Sequence, residues 1–434
     1  MRLDAEVVLD PAGRALSARY RITGHPAGAW WLHDGLRIVS CRVDGLAVEP
    51  RRLLAAAPAP FGPRIHPVEL PTAGELLELR VEGRIGQLEA GVNCLGPELI
   101  ELAVYAAWHP VFPSLPRFAY TLDLEVRGEG AVAANGLRGR SGQGRTRWRS
   151  MAPGVDIALI WAPSLAEHRS TGSPVVVLAE EVAAQGPLAA LVDRALQFCT
   201  AWWGPPRGSL DTLTVALSPR DGWFYSRLPL VLLPGRQPLD NAGLRTVLHE
   251  VAHLWWSVAD LATADDWLNE GPAEYAADRL ALALLPAGQR DARLAGVLAD
   301  LASHAGDPAV LATPFAASDD LRHRNRCLRP ALALREVERR AGETRRARER
   351  LDQILGVLGE EATTARQFAA LADRARAALA DPDEKRSART VRRKHAQHCL
   401  TVIRASPYSR NVRDRWVVTP FTRQLRRTAA SRVR

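Results

Sequence analysis

The sequence predicts an α+β multidomain chain, with an all-β first third, a stretch in which strands alternate with a helix, and a mostly helical remainder. Three observations carry this. Up to about residue 168 apolar and polar residues alternate in short runs broken by Gly and Pro. "SPVVVLAEE" and "DTLTVALSPR" read as strands on either side of the helical "PLAALVDRALQFCTAWWG". Beyond residue 241 Ala, Leu, Arg and Glu dominate and strand formers are few. A length of 434 residues exceeds the roughly 250–300 that one core supports. The expected division is 1–168, 169–380 and a tail over 381–434.

The β elements follow from local pattern. "YTLDLEVR" puts Tyr120, Leu122, Leu124 and Val126 on one face and Thr121, Asp123, Glu125 and Arg127 on the other, as a half-buried strand requires. "LELRVEG" at 77–83 repeats the pattern. Asp44-Gly45, between "RIVSCRV" and "LAVEP", suits a two-residue hairpin turn because both residues tolerate positive φ. "GEGAVAANGLRGRSGQGRTRW" reads as one more exposed hairpin or loop.

The net charge of +9 is unevenly placed. Residues 385–434 hold 15 Lys/Arg against the single acid Asp414, leaving 42 basic and 47 acidic residues in the first 384. Both lysines, Lys385 and Lys394, lie in that tail. The body is therefore slightly acidic. The tail has too few apolar residues for a core and reads as a disordered extension; binding of nucleic acid or another polyanion is its alternative reading. Cys41, Cys94, Cys199, Cys327 and Cys399 are scattered without a CxxC pair, which suggests neither a disulfide framework nor a thiolate zinc cluster. No run approaches the roughly 18 apolar residues of a membrane span, and "MRLDAEVVLDPAG" carries charges where a signal peptide would be apolar. A cytoplasmic protein is expected.

"DNAGLRTVLHEVAHLWWSV" scans as an amphipathic helix, with Leu244, Val247, Leu248, Val251 and Trp255 at helical spacing and Asp240 or Asn241 available as N-cap. His249 and His253, four apart, project from one face and can grip one ion, while Glu250 beside them can reach a water held there. Two buried histidines with no metal are the bland alternative. Trp255 and Trp256 continue the buried face and are expected in the core. Zinc in a hydrolase takes three protein ligands, and Glu270 begins a second helix that Asp266 or Asn269 can cap.

"HEVAH" followed by "WLNEG" resembles the gluzincin peptidases of the membrane alanyl aminopeptidase family, relatives of leukotriene-A hydrolase. "GAWWLHDGLRIVSCRVDG" and "ELAVYAAWHPVF" are similar to that family's N-terminal β-domain, and "LQFCTAWWGPP" to the start of its catalytic domain. The resemblance covers about residues 1–375 and none of the basic tail. It implies a saddle-like N-terminal domain before a thermolysin-like catalytic domain. It also implies one Zn²⁺ per chain on His249, His253 and Glu270, Glu250 as general base, and a peptide substrate. Glu274, one turn after Glu270, can orient a ligand histidine; a surface salt bridge is its other reading.

Three departures from the family pattern bear on function. The connection from His253 to Glu270 holds 16 residues, two fewer than the family's usual number, a loss that a loop absorbs. The stretch matching the family's amine-anchoring motif, "PRDGWFYSRLPLVLL", has no glutamate; its Asp221 reads as an exposed turn residue. No tyrosine lies between Tyr275 and Tyr408, and Cys327 takes the position of the family's oxyanion-donating tyrosine, with His323, Arg324 and Arg326 as nearby substitutes. Two functions are expected to compete: a zinc metallopeptidase without strict exopeptidase specificity, and a zinc-stabilised scaffold that binds peptides or a protein partner.

Overall fold

The computed structural model describes residues 1–284, except 27, 55–61, 73, 86–92, 141–143, 170, 207–209, 223, 237–240, 258–260 and 262–265, together with 323–328, 330, 331 and 334. The expected tail, Cys399 and Asp240 lie outside the described residues.

Eight strands form the first sheet, in the order Leu137–Arg140, Arg145–Arg149, Ala119–Val126, Arg2–Asp10, Ala15–Thr23, Leu76–Arg84, Leu36–Val43 and Leu46–Ala47. Neighbours are antiparallel except Arg2–Asp10 and Ala119–Val126, which run parallel with Leu3 opposite Tyr120 and Val7 opposite Leu124. The alternation of "YTLDLEVR" becomes burial of Tyr120, Leu122 and Leu124, while Asp123 on the other face takes a bidentate Arg147 from the next strand. Asp44 and Gly45 form the expected hairpin turn with φ of 51° and 81°. The Asp44 carboxylate also accepts from the Glu75 and Leu76 backbone N–H groups, fixing the turn against the next strand. In the expected 128–148 hairpin, Leu137–Arg140 pairs with Arg145–Arg149, whereas Ala131–Ala134 joins a second sheet with Leu159–Ala162, Ile100–Leu102 and Cys94–Leu95. The two sheets share one core that includes Leu3, Val7, Ile22, Leu79 and Leu122 with Ile100, Leu102 and Ile160. Each such side chain contributes about 1.5–3 kcal/mol by burial.

A mixed sheet follows, in the order Ala166–Arg169, Val175–Ala179, Leu213–Ser218, Leu230–Pro234 and Tyr225–Arg227. Its three central strands are parallel and apolar on both faces, as strands covered on both sides must be. Leu178, Ala216, Leu230 and Leu232 face the β core. Val175, Val177, Val215, Val231 and Leu233 face a second core, built with α1 (Val182–Trp203), α2 (Asn241–Ala252) and α3 (Trp267–Leu284). Helix α1 begins five residues before the expected Pro187 and stops at Gly204, whose φ of 82° a Cβ-bearing residue rarely adopts. Trp255 and Trp256 are core residues as expected, 4% and 1% exposed. Among the described residues the second half combines this five-stranded sheet with the three helices, and the Ala- and Arg-rich segments 285–322 and 335–380, on which the expectation of a mostly helical domain also rested, lie outside them.

The faces meet through buried charge as well as apolar surface. Glu101, fully buried on Ile100–Leu102, accepts from Arg220 Nε and Nη2 at 2.7 Å each, from Ser218 Oγ at 2.6 Å and from Tyr225 Oη at 2.9 Å. Asp156 accepts from Arg227 Nε at 2.8 Å, and Arg227 Nη2 donates to Tyr105 Oη. Arg227 ends the strand Tyr225–Arg227 and Arg220 lies just after Leu213–Ser218, while each acid comes from the β part. Among the described residues no helix is long and apolar enough to cross a membrane.

His33 ends the short strand Trp30–His33, fully buried, with Nδ1 accepting from the Gly35 backbone N–H at 2.9 Å. Burial lowers its pKa to about 4; Asp34 opposes the shift, and Arg64 and Arg52 add to it. A histidine whose folded pKa lies below the unfolded value of about 6.5 stabilises the fold fully above that value and loses the contribution as pH falls toward 4. The loss is on the order of 3 kcal/mol. His33→Asn keeps an acceptor for Gly35, so urea unfolding between pH 7 and 4 should decline less steeply in that variant than in the parent.

Candidate metal centre

Helices α2 and α3 lie against each other, their polar residues forming a ladder at helical spacing. Arg245, His249 and His253 come from the first chain segment, and Asp278, Glu274 and Glu270 face them in reverse order. The apolar side of α2, Val247, Leu248 and Val251, is anchored in the second core. The helix ends at Ala252, so His253 occupies the turn just past its end and not the helix body that its spacing predicted. Asn241 is the first residue of α2 rather than a preceding cap. Before α3, Asp266 accepts from Asn269 Nδ2 at 2.9 Å, tying the entry of the helix that carries Glu270. An acid in a helix's first turn is favoured by the helix dipole.

His249, His253 and Glu270 each offer a ligand atom, and all three lie within 4.8 Å of one another. His249 Nε2 is 3.1 Å from Glu270 Oε2 and 3.1 Å from His253 Nε2, and His253 Nε2 is 3.8 Å from Glu270 Oε1. Donors around a tetrahedral zinc at about 2.0–2.2 Å stand roughly 3.3–3.5 Å apart. Protonation follows from the outer partners. His253 Nδ1 is 2.9 Å from the Trp256 carbonyl oxygen, which only accepts, so Nδ1 carries the hydrogen and Nε2 a lone pair. His249 Nδ1 faces Glu274 Oε2 at 3.1 Å, a contact that a hydrogen on Nδ1 satisfies and that leaves Nε2 as the lone-pair atom. Two nitrogen lone pairs and a carboxylate converge on one point. Burial lowers the pKa of His253, but Glu270 and Glu250 outweigh it and hold it above the ordinary value. The cluster thus attracts positive charge, and a divalent cation displaces the proton. The donor set fits zinc.

The structure brings Glu250 to the site's border, buried at 6% exposure and close enough to act on His253. Glu274 is 3% exposed, inside the ladder rather than in a surface pair. Cys327, buried in the turn His323–Leu328, places Sγ 3.8 Å from Glu270 Oε2. Burial, then Glu270 and Asp266, push that thiol well above its usual range, so it is neutral. His323 is exposed, and the side chains of Arg324 and Arg326 lie outside the described residues. Asp221 is exposed before Gly222, as its turn context predicts. Sequence reasoning missed Arg245, Asp278 and Glu101. The first two carry a signal, since each continues its helix's four-residue spacing, whereas Glu101 meets Arg220 only through the fold.

No protein-family model matches the chain, and no curated protein matches it. Solved structures do. An M1 zinc metallopeptidase from Deinococcus radiodurans, a mutant bound to a Tyr-Ser-Ala substrate, superposes with a TM-score of 0.62 at 20% identity over 87% of this chain and 92% of that one. A two-domain M1 zinc metallopeptidase mutant bound to L-arginine gives 0.63 at 18% identity, over 87% and 92%. Yeast LTA4 hydrolase gives 0.65 at 14% identity over 89% of this chain, which spans 65% of that longer protein. At these identities the likeness is one of fold: the chain has the architecture of M1 zinc metallopeptidases and LTA4 hydrolase.

Proposed function

We propose that the chain is a zinc-dependent peptidase, with His249, His253 and Glu270 holding one Zn²⁺ and Glu250 as general base. The observation that carries this reading is the convergence of three lone-pair donors, 3.1–3.8 Å apart, beside a buried glutamate. The fold shared with zinc metallopeptidases supports it. Zinc, when bound, acts as a Lewis acid and lowers the pKa of a water to about 7. The Glu250 carboxylate takes a proton from the attacking water and hands it to the nitrogen of the leaving amine. The Trp256 carbonyl and Glu274 keep the Nδ1 hydrogens in place, so both Nε2 lone pairs face inward.

Two features shape the activity. A neutral thiol is a weak donor, so Cys327 at the tyrosine position lowers the rate by about 10²–10³ relative to a site with a full oxyanion donor. In the stretch matched to the amine anchor, Asp221 is exposed and the neighbouring Arg220 saturates Glu101. Neither acid stands free in a buried site for a substrate's ammonium group, so turnover does not depend on a free N-terminus. The second reading, a zinc-stabilised scaffold that binds peptides or a protein partner, is favoured by the contact of Cys327 with Glu270. Scattered unpaired cysteines fit a reducing, cytoplasmic setting.

Zinc at about 100 times its Kd stabilises the folded state by about 2.7 kcal/mol, read as a higher thermal midpoint that chelator reverses. His253→Ala should show no such shift. Glu250→Gln should bind zinc as the parent does and lose at least about 10²-fold in peptide hydrolysis. In the parent, chelator-sensitive cleavage of both N-terminally free and blocked peptides is expected; zinc binding with no cleavage of either set would favour the scaffold.

A further inference from the structure

Arg245 has no place in the reading of the sequence, yet it forms the rung of the α2–α3 ladder behind His249 and Glu274. It stands one helical turn before His249 and is 8% exposed. Its Nε donates to Asp278 Oδ1 at 2.9 Å, and its Nη2 contacts Glu274 Oε1. The other Glu274 oxygen, Oε2, is the one 3.1 Å from His249 Nδ1. The guanidinium therefore holds one oxygen of a carboxylate whose second oxygen holds a ligand histidine.

We propose that Arg245 is a positioning residue for the metal centre, fixing Glu274 so that His249 keeps its hydrogen on Nδ1 and presents Nε2 to the ion. The inference rests on the zinc reading above. A glutamate has three side-chain torsions, and without an outer partner Glu274 can turn away from a ring four residues further along the facing helix. The planar fork of arginine removes that freedom, because two of its nitrogens are already committed to acids one turn apart on α3. Asp278 thus acts through Arg245: it anchors the guanidinium, and the guanidinium anchors Glu274. The Arg245–Asp278, Arg245–Glu274 and His249–Glu274 contacts all run between the two helices, so the same groups also bear on the spacing between His249 and Glu270. Loss of an outer partner of a metal-bound histidine typically weakens metal binding about 10–100-fold.

The test measures zinc affinity by competition with a chromogenic chelator, using the full chain, in the parent, Arg245→Met and the double variant Arg245→Met/Asp278→Leu. The double variant removes the buried cation together with its second acid, and so folds even if the single variant, with two acids left facing each other, does not. Both variants should bind zinc about 10–100-fold more weakly. Long-range ¹⁵N–¹H correlation spectra of the metal-free protein should show His249 as the Nδ1–H tautomer in the parent and as a tautomer mixture in the variants, a change that a purely structural role for Arg245 would not produce. Parent-like affinity and tautomer in a folded variant overturn the role of Arg245. A parent that binds no zinc sinks the metal reading itself, a distinct result.

Discussion

The convergence of three ligand-type atoms, held together by the packing behind them, is the constraint on which the rest of the site depends. Two imidazole nitrogens stand 3.1 Å apart with their hydrogens committed to the opposite side of each ring, and a carboxylate closes the group. In an unconstrained chain such atoms would separate and hydrate. Here they cannot, because the backs of the elements that carry them are fixed: Val247 and Val251 of α2, with Trp255 and Trp256 after it, belong to one apolar core with Tyr275 of α3. Apolar packing supplies the rigidity and the ladder supplies the charge. The combination favours a cation over any rearrangement.

That rigidity reaches back to the β part of the chain. The mixed sheet carries one core on each face, so α2 is positioned relative to a surface that the first half of the protein also grips. Glu101 with Arg220, and Asp156 with Arg227, fix the register of that grip. Apolar contact tolerates sliding, whereas a buried carboxylate with four donors does not; breaking such a pair costs about 3–5 kcal/mol. Trp255 Nε1, bonded to the Gly204 carbonyl at 2.9 Å, makes the corresponding link between the turn holding His253 and the end of α1.

Much of this was legible in the residues because it is local. Alternation placed the strands at 77–83 and 120–126, the Asp44-Gly45 pair placed a hairpin, and four-residue spacing placed His249 and His253 together. Glu270 was reached through a resemblance, and the fold then set it within 3.1 Å of His249. Where expectation and structure part, long-range contact is the reason. The end of α2 at Ala252 is set by the Trp256 carbonyl capturing His253, which no periodicity reports. The parallel pairing of Arg2–Asp10 with Ala119–Val126 joins segments more than a hundred residues apart. Glu101 is bound by Arg220, which lies more than a hundred residues away between two strands of the mixed sheet. Arg245 and Asp278 were within reach of the same spacing rule that found the histidines, had the ladder been followed inward past them.

Cys327 shows how the length of a side chain can decide a site's chemistry. At the position matched to a tyrosine, a phenol would carry its hydroxyl farther from the backbone than a thiol carries its sulfur. A cysteine stops after one carbon, and its sulfur comes to rest against Glu270 Oε2. On the proposed reading, the group at the oxyanion-donor position is thereby turned onto the Glu270 carboxylate and away from a substrate. On that reading, catalytic power would rest on what remains aimed at the reacting atoms: a cation that His249, His253 and Glu270 would hold, and proton transfer by Glu250. The ladder behind them matters correspondingly more, since a site with fewer groups on the substrate depends more heavily on the alignment of the few it keeps.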